Sequence, residues 1–224
     1  MSVLVVDDQV LIRAGLAALI RAAPGLTVAG EAETGEDAVR LAAAHRPDVI
    51  LMDVRLPGIS GIAATERILA AGGNGDSEGA APPKVLILTT FDLDEYVYEG
   101  IRAGASGFLL KDTPPERLLT AIRTVAAGDI LLSPAALRRL LETFTTPRSS
   151  AAPELAALTR RETEVLALVA RAHTNREIAE TLSLSEATVK THLNRVMAKL
   201  SLTSRAQAVA VAYDYGLVTP RSPR

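Results

Sequence analysis

The chain has 224 residues, of which 48% are hydrophobic and 22% charged, an ordinary balance for a folded protein of one large or two small domains. It has no cysteine, which excludes disulfides, thiolate nucleophiles and thiolate zinc sites, and no run of about 18 apolar residues, which excludes a membrane-spanning helix. The net charge of −2 conceals an asymmetry: residues 1–130 hold 11 Lys+Arg against 18 Asp+Glu, net −7, and residues 131–224 hold 13 against 8, net +5. An acidic half joined to a basic half suggests two tasks, the basic one on nucleic acid.

In chain order, Val3-Leu4-Val5-Val6 reads as a strand and leads to a helix near 9–22, closed by Pro24-Gly25. A short strand near 27–31 precedes a helix near 36–45. Strand 48–52 stops at Asp53, and Pro57-Gly58 turns the chain into a helix near 60–71. After a glycine-rich insertion over 72–83, strand 84–89 precedes a helix near 93–103. Strand 107–110 then precedes a helix near 114–127, for which Thr113 is the expected N-cap and Gly128 the C-terminal stop. Five such βα units predict a doubly wound α/β domain with a parallel five-stranded sheet.

The insertion is not followed by Gly-Lys-Ser/Thr, so it does not read as a nucleotide P-loop but as a surface excursion. Residues 129–154 read as a linker carrying a short helix near 133–143. From 155 to 218 only helices are expected, forming a small all-α module. Thr159 with Glu162 and Thr174 with Glu177 form capping-box pairs, Ser185 is an N-cap and Ser204 opens a last helix. Residues 219–224 are a tail.

Three of the strands stop at charged groups: Asp7 and Asp8, Asp53, and Lys111. Strands of a parallel sheet aim their carboxyl ends at one crevice, so these side chains are expected to meet. An Asp after a strand is ordinarily a turn or helix cap, and Lys111 alone would be a solvated strand end. The combination at successive strand ends is what points to chemistry. Asp7, Asp8 and Asp53 need a cation to sit together ionised. The expected arrangement is Asp7, Asp8, Asp53 and the backbone carbonyl of Arg55 around Mg²⁺, Asp53 as acceptor of a phosphoryl group, and Lys111 and Thr89 on the phosphoryl oxygens.

In the basic half, residues 175–192 read as helix, turn, helix. Val189, Leu193, Val196 and Leu200 repeat at helical spacing on one face of the second helix. Lys190, Thr191, Asn194 and Arg195 lie on the remainder, a pattern suited to the DNA major groove with flanking phosphate contacts. An ordinary solvated face would have the same look.

The runs Val5-Val6-Asp7-Asp8-Gln9, Leu51-Met52-Asp53-Val54-Arg55-Leu56-Pro57-Gly58, Leu88-Thr89-Thr90-Phe91-Asp92 and Gly107-Phe108-Leu109-Leu110-Lys111-Asp112 resemble a receiver domain over 1–128. The runs Leu158-Thr159-Arg160-Arg161-Glu162-Thr163-Glu164-Val165-Leu166 and Ser185-Glu186-Ala187-Thr188-Val189-Lys190-Thr191-His192 resemble a LuxR-type helix-turn-helix domain over 155–218. Together they resemble a NarL/FixJ-family two-component response regulator. That resemblance implies a sensor histidine kinase as phosphodonor to Asp53, Thr89 turning toward the phosphoryl group, and Phe108 at the aromatic switch position. It also implies Lys190, Thr191 and Asn194 facing bases of double-stranded DNA, and Arg176, Thr188, His192 and Arg195 as candidates for phosphates. A homodimer is implied, with Ala208, Val209, Val211 and Ala212 of the last helix as a possible packing surface. A cytoplasmic, non-membrane transcription factor rather than an enzyme is the resulting expectation.

Ser201 stands where the family often has Gly, and Ala172-His173 where it usually has Gly-Leu, so a turn needing positive φ would be strained there. Two competing readings remain. A phosphatase using Asp53 would commonly carry a second carboxylate where Arg55 stands. A phosphate-independent regulator would use the first domain only as a scaffold.

Overall fold

The computed structural model describes residues 1–73, 82–89, 93–129, 131, 157–171 and 173–218. The helix expected near 133–143, the linker after it, Asp92, Ala172, the 219–224 tail and most of the glycine-rich insertion lie outside these residues. Backbone contacts divide the chain into two units, Met1–Ala136 and Leu137–Arg224.

In the first unit the elements alternate: β1 (Ser2–Val6), α1 (Val10–Ala22), β2 (Thr27–Ala32), α2 (Gly35–His45), β3 (Val49–Asp53), α3 (Gly61–Gly73), β4 (Lys84–Thr89), α4 (Leu93–Arg102), β5 (Gly107–Leu110) and α5 (Pro115–Ala126). The strands form a parallel sheet in the order β2-β1-β3-β4-β5, the doubly wound architecture expected from the βα alternation. The central strands are apolar on both faces because both faces are covered. Val3, Val5, Val49, Leu51, Leu86 and Leu88 share a core with Ile20, Leu118, Ile122 and Val125 of α1 and α5. Leu4, Val6, Ile50, Met52 and Ile87, one residue out of phase, are equally buried.

One cap differs from expectation. The N-cap of α5 is Pro114, without a side-chain cap bond, and Thr113 stands one residue outside the helix. Pro115 takes the first helical position, where its missing N–H costs nothing.

The second unit contains α6 (Arg160–Ala170), α7 (Asn175–Leu182), α8 (Glu186–Lys199) and α9 (Arg205–Asp214). Thr159 with Glu162, Thr174 with Glu177, and Ser204 with Gln207 form capping boxes, and Ser185 accepts from the Thr188 N–H. Val165, Leu166, Val169, Ile178, Val189, Leu193 and Val196 are buried. Ser201 adopts φ +53°, so the position where glycine is the family habit does require the left-handed region.

Candidate functional site: an acidic cleft and an exposed helix face

Sheet order builds the cleft. β1 lies between β2 and β3, so the connections from β1 and β3 leave toward opposite faces and open a crevice at their carboxyl ends. Val6 is in register with Met52, which sets Asp7 beside Asp53, the last residue of β3. Asp7 is fully buried: its N–H donates to the Ala32 carbonyl, and its Oδ1 accepts from the Gln9 N–H at 2.9 Å. Asp53 is 5% exposed, and Asp8 is exposed at the rim.

Lys111 follows β5, two strand positions from β3, roughly 10 Å across the sheet. Its N–H donates to the Thr89 carbonyl at 2.8 Å, which fixes the start of the side chain. The long stem then carries Nζ to 2.7 Å from Asp7 Oδ2 and 2.8 Å from Asp53 Oδ2. Burial would lower the pKa of this ammonium, but attraction by Asp53 and then Asp7 outweighs it, and the net direction is upward. For Asp53 burial is the largest influence and raises the pKa. Lys111 opposes it, the neighbouring Asp7 charge adds to it, and the Arg55 N–H donates to the carboxylate and lowers it. The net direction is again upward.

Asp7, Asp8 and Asp53 each present a carboxylate oxygen, all within 4.8 Å of one another. Asp7 Oδ2 is buried and has the Lys111 ion pair but no well-aligned hydrogen bond. A hard, oxygen-seeking divalent cation fits this donor set: three carboxylate oxygens brought together, one of them on a fully buried Asp7.

A cleft of about 270 Å³ opens over these groups, lined by Asp8, Gln9, Asp53, Val54, Arg55, Thr89, Tyr96 and Lys111. Thr89 closes β4, is 5% exposed and lines the cleft. Phe108 is buried in β5, its ring running beneath Gly100 of α4, where an added Cβ would stand 2.5 Å from Cζ. The Arg55 side chain extends over the cleft, with Nη2 3.5 Å from the Tyr96 hydroxyl.

Two residues here escape a reading of the sequence. Tyr96 reaches the cleft from α4 and has no local motif to mark it. Gly61, the first residue of α3, lies so close to the Asp53 carbonyl that a Cβ there would collide with it, while its N–H donates to Val54 at 3.0 Å. Its one signal is glycine where a helix begins, in place of a better helix former.

In the helical unit, α8 buries Val189, Leu193 and Val196 and leaves Lys190, Thr191, Asn194 and Arg195 exposed. Thr191 uses its hydroxyl on the Ala187 carbonyl at 2.9 Å, and Thr188 shares a hydroxyl bond with Ser185 at 2.8 Å. His192 is half-buried. Arg176, exposed on α7, pairs with Glu180 one turn on at 3.2 Å.

The last helix requires a correction. Ala208, Val209 and Ala212 are 0–2% exposed within the single chain, on a helix that packs against α6. They are covered in the single chain, and of the four residues expected as a dimer surface only Val211 is partly exposed. The family resemblance implies an outward face here, whereas in the single chain the small apolar residues of α9 are turned inward and the helix packs on α6.

Two family descriptions match the chain: the response regulator receiver domain over residues 3–123 and the bacterial regulatory proteins of the luxR family over 156–212. The chain is similar to the uncharacterized transcriptional regulatory protein YxjL of Bacillus subtilis (strain 168), 46% identical over 95% of this chain and 94% of that one. It is likewise similar to the nitrate/nitrite response regulator protein NarL of Escherichia coli (strain K12), 34% identical over 92% of each. A solved LuxR-family two-component response regulator from Aurantimonas sp. SI85-9A1 superposes with a TM-score of 0.56 at 32% identity, covering 64% of this chain and 97% of that one. A receiver joined to a luxR-type domain defines a two-component transcriptional regulator. Within that class the chain belongs to the NarL family of response regulators. No helix among the described residues is long and apolar enough to cross a membrane.

Proposed function

We propose that a sensor histidine kinase phosphorylates Asp53 and that this controls dimerisation and sequence-specific binding to double-stranded DNA. The observation that carries the reading is the Lys111 ammonium held 2.7 and 2.8 Å from Asp7 and Asp53 at the floor of the cleft. In the transfer, the P–N bond of the donor's phosphohistidine breaks as an O–P bond forms to the Asp53 carboxylate. Lys111 neutralises the charge gathering on the phosphoryl oxygens, and Thr89 supplies a hydroxyl donor from the same rim. Asp7, Asp8, Asp53 and the Arg55 carbonyl would hold Mg²⁺, which supplies further charge neutralisation to the phosphoryl oxygens.

The product carries about −1.5 to −2 charge where a single carboxylate charge stood. Thr89 and Lys111 are drawn toward it, Phe108 moves with β5, and the face made by α4 and α5 shifts toward a dimer-competent state. The dimer presents two α8 helices to successive major grooves, with Lys190, Thr191 and Asn194 on base edges and Arg176, Thr188, His192 and Arg195 toward phosphates. Such a regulator works where the DNA is, in the cytoplasm. The family relation and the Arg55 side chain over the cleft, in place of a second carboxylate, favour a switch over a phosphatase. The test is phosphate uptake from a small phosphodonor with Mg²⁺, followed by gel mobility. Wild type is labelled and Asp53→Asn is not; equal labelling of the two would remove Asp53 from the role.

A further inference from the structure

Arg205 is hard to account for as an ordinary helix residue. It is 7% exposed and occupies the first position of α9, where a cation faces the positive end of the helix dipole. Burial of a guanidinium is costly unless its donors are met. Here they are met by the start of another helix: Nη1 donates to Asn175 Oδ1 and Nη2 to the His173 carbonyl. Asn175 is the first residue of α7, and His173 lies in the turn before it, where the sequence departs from the family's Gly-Leu. The two acceptors, one side chain and one backbone, suit the planar fork of Arg and not a point charge.

The far end of α7 is tied in a similar way. Arg161 Nη2 donates to the Leu182 carbonyl at 3.1 Å, and its Nη1 pairs with Glu164 at 2.7 Å. The eight-residue helix is thus held at both ends by guanidinium groups from outside the helix-turn-helix. At its held start α7 exposes Arg176, beside Glu177, whose carboxylate is engaged by Thr174 in the capping box. In helix-turn-helix docking the first helix lies across the DNA backbone while the second enters the groove.

We propose that Arg205 is a positioning residue for DNA binding: by fixing the first turn of α7 it sets where Arg176 meets a DNA phosphate. It touches no DNA itself and leaves base reading to α8. The proposal rests on the DNA-binding reading above.

The experiment is a double-mutant cycle in the full chain, with a duplex recovered from a random-sequence pool by phosphodonor-treated wild type as the probe. Affinity is measured over a range of salt for wild type, Arg176→Ala, Arg205→Ala and the double variant. Arg176→Ala is expected to weaken binding roughly five- to tenfold and to reduce the salt slope by about 1. Arg205→Ala is expected to give the same slope change with base preference retained, and the double variant to bind no worse than either single one. Where Arg205→Ala does not fold, Asn175→Ala, which leaves the guanidinium its carbonyl contact, carries the same cycle. Additive losses, or an unchanged slope in the Arg205 and Asn175 variants, would overturn the proposal. A wild-type chain that binds no duplex in a salt-dependent manner would overturn both the proposal and the DNA-binding reading, and a Lys190→Ala, Asn194→Ala variant that keeps full base preference would sink only the assignment of α8.

Discussion

Gly61 abuts the backbone carbonyl of Asp53 with no room for a side-chain carbon between them. The start of α3 is therefore the floor on which the proposed phosphoacceptor rests, and the Gly61 N–H to Val54 bond closes the loop that links them. Gly61→Ala must force the start of α3 and the end of β3 apart, displacing the backbone that carries Asp53 relative to its neighbours. Overpacking of this kind costs about 1–3 kcal/mol. The expected result is a chain that folds with a lowered midpoint and takes up phosphate from a small donor at least tenfold more slowly, read by urea unfolding and labelling kinetics. Labelling at the wild-type rate would show that the Asp53 carbonyl has slack.

The pKa of Asp53 lies above its ordinary 3.8 in the folded chain, with burial the largest cause. For a carboxyl group shifted upward, folding penalises the ionised form. The penalty is present above the folded pKa and vanishes below 3.8. In chelator, Asp53→Asn is thus expected to be more stable than wild type at neutral pH, with the difference closing as pH falls toward 3.8. Adding Mg²⁺ should reverse the order, since a ligand of the folded state at a hundredfold its Kd adds about 2.7 kcal/mol to wild type. Amide exchange in β1 and β3 reports both effects, and a Mg²⁺ response of equal size in the two proteins would displace the cation from this site.

Glu162 shows the opposite sign. Lys199 at 2.7 Å, the Thr159 N–H and the Thr159 hydroxyl hold its carboxyl at about 2 against an ordinary 4.5. The stability it contributes is complete above 4.5 and is lost as pH falls from there toward 2. Lys199 is 35% exposed, so solvent screening trims the contribution to about 1–3 kcal/mol. Glu162→Gln should lower protection of the α6 and α8 amides near neutral pH and flatten their acid dependence. An unaltered acid profile in that variant would assign the dependence to other groups.

Because Ala208 and Ala212 are fully buried in the single chain, Ala212→Leu is expected to act as an overpacking mutation, costing about 1–3 kcal/mol. Its loss of DNA binding should track unfolding of the unit and be independent of protein concentration. If the variant keeps full helix protection and loses only a concentration-dependent step, α9 joins copies of the chain after all.

The sequence on its own determined the βα alternation, the parallel sheet, the charged ends of β1, β3 and β5, and the caps of α6, α7, α8 and α9. These are local properties: apolar runs, turn residues and capping pairs act within a few positions of one another. The N-cap of α5 slipped by one residue because two prolines compete for one helix start, and only geometry ranks them. That Asp7, Asp53 and Lys111 meet was legible from the strand ends; tertiary structure alone decided that one ammonium serves both carboxylates at 2.7 and 2.8 Å, that Gly61 floors the cleft and Tyr96 borders it, and that α9 turns its alanines inward. It also decided that Arg205 is buried on the turn before α7, 30 residues away from Asn175. Contacts between elements depend on which faces are left to cover once the chain has closed on itself, and the spacing of residues along the chain does not encode that.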